Sequence, residues 1–202
     1  MSDKVLLSLS GIKNENFEIE KNEFETFEKL VDFYGEDTKG ILTYIKINDQ
    51  EIPLNYFDEV KNAFFEGGES IELMFETKKS VLNSLIEEGF EYINKVRENL
   101  DNLSKEVLMN SQEGHKMLGS LSEGFEALLT IINQTNEYIG EVTYNEQQIE
   151  KIKSILSTIV QAQASKNYIE LSDNVDFDLP EIINIFDDVL KESKRILNHK
   201  VN

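Results

Sequence analysis

From residue 82 onward, apolar side chains return every three or four positions: Leu82, Ile86, Gly89, Ile93, Val96, Leu100, Leu103 and Val107. That spacing keeps one helix face apolar, and it predicts a rod of about thirty residues, roughly 45 Å long. A rod of this kind needs partners along its stripe. The run Asn110-Ser111-Gln112-Glu113-Gly114 breaks it, because a glycine inside a helix costs about 1 kcal/mol against alanine. A second helix over about 115–139 carries Leu118, Leu121, Phe125, Leu128, Ile132 and Ile139. Gly114, Gly119 and Gly124 recur along it every five residues, a spacing that keeps to no single face. A third helix, about 145–170, shows Ile149, Ile152, Leu156, Ile159 and Val160, and a fourth shows Ile182, Phe186, Val189, Leu190 and Leu197. Four helices on short connections predict a four-helix bundle over 79–202.

The first seventy-eight residues have a different period. Lys4 to Ser10 and Asn16 to Glu20 read as a hairpin, and Phe24, Phe27, Leu30, Val31 and Tyr34 as an amphipathic helix closing at Gly35. Ile41 to Ile47 is a β-branched and aromatic strand, Asn48-Asp49 a turn, and Glu51-Ile52-Pro53-Leu54 a short edge strand. Tyr56, Phe57, Val60, Phe64 and Phe65 suggest a short second helix, ended by Gly67-Gly68, before a last strand at Ile71–Phe75. This ββαββ, short helix, β order over residues 4–77 resembles the ubiquitin-like β-grasp family. The resemblance implies a mixed sheet crossed by a helix, and binding through the sheet face and edges. The diglycine tail of conjugated modifiers is missing, since Thr77-Lys78-Lys79-Ser80 runs into a helix. The fold expected is α+β, with a ubiquitin-like domain at 1–78 and an all-α bundle at 79–202.

The most site-like passage is Asp173-Asn174-Val175-Asp176-Phe177-Asp178-Leu179-Pro180-Glu181. It is no EF-hand, because Val175 and Asp178 stand where a ligand and a glycine are required. Asp178-Leu179-Pro180-Glu181 reads instead as a DxxE capping box with proline in the first helical turn. Val175, Phe177 and Leu179 would then fasten the turn to the core. Residues 163–190 are similar to a segment of uncharacterised bacterial helical proteins through Tyr168, Leu171, Asp173, Phe177, Leu179 and Pro180. That resemblance implies a bundle and no chemistry.

The formal charge is -19, from 39 acidic and 20 basic residues spread through both halves. Such a field opposes nucleic-acid and anionic-membrane binding and favours basic partners. The absence of cysteine excludes disulfides, thiol nucleophiles and thiolate metal sites. No apolar run reaches membrane-spanning length and the start lacks a cleavage signal, so a cytoplasmic location is expected. The two histidines, His115 and His199, lie near helix ends, and no nucleotide-loop, zinc-protease or nucleophile-elbow motif occurs. Glu87-Glu88 and Asp187-Asp188 read as solvated faces.

No catalytic, cofactor or metal residue is therefore assigned. Tyr56, Phe57, Phe64 and Phe65 are the candidate protein-binding residues, since adjacent aromatics on a helix cannot both face inward. The function expected is a non-enzymatic interaction protein, an adaptor or secretion-type chaperone. Its partner would be another protein with a basic or amphipathic helical segment, and a homodimer is possible through the stripe at 82–107. The alternatives are a metal-dependent enzyme using Asp173, Asp176 and Asp178, or a self-assembling structural protein.

Overall fold

A computed structural model describes residues 3–199. The chain is α+β and divides into two compact units at Val81/Leu82. In the first unit, β1 (Lys4–Gly11), β2 (Glu15–Glu20), β3 (Ile41–Ile47), β4 (Gln50–Glu51) and β5 (Ser70–Glu76) form one mixed sheet in the order β2-β1-β5-β3-β4. β1 and β5 pair in parallel at its centre, with Leu7 opposite Ile71 and Leu9 opposite Leu73. Alternation sends Val5, Leu7 and Leu9 of β1, with Ile71, Leu73 and Phe75 of β5, into the core. Asn48 and Asp49, with φ of 49° and 63°, turn β3 back into β4.

Helix α1 (Phe27–Thr38) lays Phe27, Leu30, Val31 and Tyr34 into that core. Phe24 lies before it, because Thr26 is the cap and its side chain accepts from the Lys29 amide. The helix also passes through Gly35, where a side-chain carbon would lie 3.6 Å from the Phe75 ring, and ends at Lys39 in the left-handed region. Burial pushes the Tyr34 hydroxyl up to about 12, with Glu23, Asp37 and Glu15 adding to the shift. The expected return strand stops at Glu51, since Pro53 starts a 3-10 turn (Leu54–Tyr56). The second helix is likewise a single turn, α2 (Phe57–Val60).

The second unit holds four long helices, α3 (Lys78–Leu108), α4 (Gln112–Ile139), α5 (Glu146–Ala164) and α7 (Leu179–His199), which share one hydrophobic core. Leu82, Ile86, Gly89, Ile93, Leu103 and Val107 of the α3 stripe are buried in that unit, whereas Val96 and Leu100 are only partly covered. The seam is tight at Gly89, where a side-chain carbon would meet Leu190 at 3.0 Å and Leu128 at 3.2 Å. Phe125 stacks on Phe186 at 5.1 Å between ring centroids. Ser104 and Ser172, both buried, join their hydroxyls at 2.8 Å.

The DNVDFDLPE passage is not a helix start. Helix α6 (Tyr168–Asp173), capped by Asn167, runs through a π-helical turn (Asn174–Asp178) directly into α7. Pro180 explains the wider turn, because its ring clashes with the carbonyl four residues back and it has no amide proton to donate. The capping-box reading is thus overturned: Asp178 lies inside the helical run, and Glu181 pairs with Lys151 of α5 at 2.7 Å. Helical spacing also buries Val175 and Leu179 but turns Phe177 outward, 73% exposed, so the alternating pattern expected of an extended turn fails there. Among the described residues, no helix is long and apolar enough to cross a membrane.

Candidate functional site

One of the two partly covered positions of the α3 stripe, Val96, borders an apolar groove. Along its α4 side, Tyr92, Val96 and Leu103 of α3 face Met117 and Leu121 of α4 around about 430 Å³. Lys95, Asn99, Glu113, Lys116 and Ser120 complete the rim. The local sequence accounts for the opening. Leu108 ends α3, and Ser111 caps α4 by accepting from the Gly114 amide at 2.9 Å, so the two helices turn back within three residues. A side-chain carbon on Gly114 would lie 2.7 Å from the Glu106 carbonyl carbon, which only glycine permits.

Further along, Tyr92 reaches over Gly124, where any side-chain carbon would fall 1.9 Å from its hydroxyl. The hydroxyl donates over 3.4 Å towards the carbonyls of Ser120 and Leu121, and burial raises its pKa. The ring therefore closes one end of the groove and leaves Val96, Leu103 and Met117 to form its middle. A groove lined this way offers apolar area and an adaptable thioether.

On its α7 side the same helix is charged. Arg97 donates to Asp187 at 2.6 Å and to Asn184 at 3.1 Å, and Lys191 reaches Asp187 at 3.2 Å. Burial pushes the Asp187 carboxyl up, but hydrogen bonds from Arg97 and Lys191 outweigh it and hold the group below its ordinary value. Asp187 is thus a largely buried partner, with its side chain 13% exposed, and not part of a solvated face.

The aromatic candidates lie elsewhere. Tyr56 is 48% exposed and Phe64 74% exposed, while Phe57 and Phe65 lean on the first unit's core. Phe64 and Phe65 stand in an irregular loop, not on the expected helix. That loop caps α1, since the carbonyls of Lys61 and Ala63 accept from the amides of Glu28 and Phe27. His115 pairs through Nε2 with Asn110 at 2.9 Å, and its ring meets that of Tyr168 edge-on at 6.5 Å. Asp173 and Asp176 point to solvent from the helical run. Among the described residues, no group of three or more histidine, aspartate or glutamate side chains is placed to hold a metal.

The family model described as a domain of unknown function, DUF8042, matches residues 84–189, just over half of the chain. The chain belongs to this family. No curated protein and no solved structure matches it. The apolar groove, from Tyr92 to Leu121, lies wholly within the DUF8042 segment. Sequence reasoning found Val96 and Leu103 through their period but missed Tyr92, Gly124 and Met117. Tyr92 is off the stripe, and the signal that could have found it, a glycine facing an aromatic ring, exists only once the two helices are paired.

Proposed function

We propose that the chain is a non-enzymatic, cytoplasmic protein-interaction module of the adaptor or secretion-chaperone kind. Its helical unit would take an amphipathic helix of a partner protein into the α3–α4 groove. The observation that carries this reading is the opening in a largely buried stripe at Val96, which faces Met117 across the groove. An amphipathic helix fills such a groove with anchors at i, i+3, i+4 and i+7. The net charge of -19 favours a partner whose helix carries basic residues outside its apolar face. The first unit is read as a ubiquitin-like β-grasp, a reading supported by its strand order and by the parallel pairing of β1 with β5. Tyr56 and Phe64 would add a second contact surface there. The metal-enzyme alternative draws no support from Asp173, Asp176 and Asp178, which belong to no group placed to hold a metal among the described residues.

A photo-crosslinking residue in place of Met117, introduced into the full chain in its native host, tests the reading. The expected result is one discrete adduct to a basic, helical segment of another protein, reduced at least tenfold by Val96→Asp. Absence of a discrete adduct, or an adduct to a second copy of this chain alone, would sink it.

A further inference from the structure

The chain contains only two arginines, Arg97 and Arg195. Nearly a hundred residues apart in sequence, they line one groove between α3 and α7, an open space of about 670 Å³, together with Lys191 and Lys194. Four of the molecule's twenty basic side chains thus surround one opening in a chain that carries 39 acids. Asp187 is the single carboxylate of that lining.

The pairing leaves the groove short of negative charge. Asp187 is shared between Arg97 and Lys191, so one carboxylate serves two cations. Arg195 is held by Glu192 in two parallel bonds of 2.7 and 2.6 Å. Lys194 contacts Glu87 and sits 5.7 Å over the Phe90 ring. The Arg97 guanidinium is already oriented by Asp187, Asn184 and Asn94, while the Lys191 side chain is 62% exposed at its contact with the same Asp187 carboxylate. A fixed guanidinium beside partly exposed ammonium groups suits a tetrahedral oxyanion.

We propose that this groove binds a small, multiply charged phosphate compound. A singly charged anion gains little against the carboxylates already present, whereas a pyrophosphate-like group engages several cations together. The size of the ligand follows from the charge of the rest of the molecule. A nucleic acid or an anionic membrane meets the whole acidic surface, but the Debye length at physiological ionic strength is about 8 Å, so a small anion among four cations is screened from distant carboxylates.

The test titrates the full chain with inorganic phosphate and with pyrophosphate at constant ionic strength, reading melting temperature and the amide shifts of Asn94, Arg97 and Lys191. The expected result is a saturable rise in melting temperature, with pyrophosphate binding at least tenfold tighter than phosphate. Lys191→Ala combined with Lys194→Ala should weaken pyrophosphate at least tenfold with unchanged helical circular dichroism. Lys105→Ala combined with Lys153→Ala, which removes the same charge elsewhere, should leave it unaltered. Equal weakening in both double variants, or a response to pyrophosphate no greater than to matched chloride, overturns the proposal and leaves these cations as partners of the α7 C-terminus alone. Co-sedimentation with vesicles bearing phosphoinositides would likewise overturn it in favour of a lipid headgroup. The protein-binding reading stands or falls separately, since Met117 and Val96 lie on the α4 side of α3.

Discussion

Between residues 90 and 103, the side of α3 facing α4 is apolar and the side facing α7 is cationic. The first lies beside the short α3–α4 turn and is closed at one end by the Tyr92 ring lying over Gly124. The second is held by hydrogen-bonded charge. The two should answer salt in opposite directions: raising sulfate strengthens apolar contact, whereas any added electrolyte weakens attraction between exposed charges. One helix can therefore present two surfaces whose occupancy is tuned by different conditions, and the contrast can be attacked at the seam, on one flank or at one atom.

The largest effect is expected at the shared support. Leu190 is fully buried and fills the notch at Gly89. Leu190→Ala should cost about 2–5 kcal/mol in urea unfolding and abolish binding at both grooves. A loss below about 1 kcal/mol would mean that the two sides do not depend on this seam.

Asp187 separates the flanks more gently. Its folded-state pKa is depressed, so its contribution is present above the unfolded value near 3.9 and is lost as pH falls through the folded value. Asp187→Asn should cost about 1–2 kcal/mol at neutral pH, discounted for the exposure of its partners. The gap to the parent chain should narrow as pH falls below the ordinary carboxylate value of about 3.9 and through the lower folded-state value. A gap that stays constant from neutral pH down through the whole carboxylate range would remove the charge network from the account.

The smallest stability effect belongs to Gly124→Ala. The added methyl must displace the Tyr92 ring tip, but alanine returns about 1 kcal/mol of helix propensity, so net stability should change by less than about 1 kcal/mol. The groove itself should change, which the Met117 methyl resonance reports. An unmoved resonance would show that Tyr92 does not set its closed end.

Periodicity carried the architecture well where a single face is buried. The strands at Ile41–Ile47 and Ser70–Glu76, and the long helix from Lys78, follow from alternation and heptad spacing, because burying one face selects that period. It failed around Pro180, where local signals for a helix start were overridden by continuous packing of Leu171, Val175 and Leu179. It failed also at Phe64, since a loop that caps α1 through its own carbonyls leaves no local helical pattern to read.

Charge, the absence of cysteine, the two helical and strand-like halves and the buried stripe of α3 were all available from residue order, since each depends on composition or on neighbours within a few turns. The gap in that stripe, the ring over Gly124, and the meeting of Arg97 with Arg195 came from packing. Such features join residues many turns apart, and short-range patterns carry no information about which faces will be pressed together.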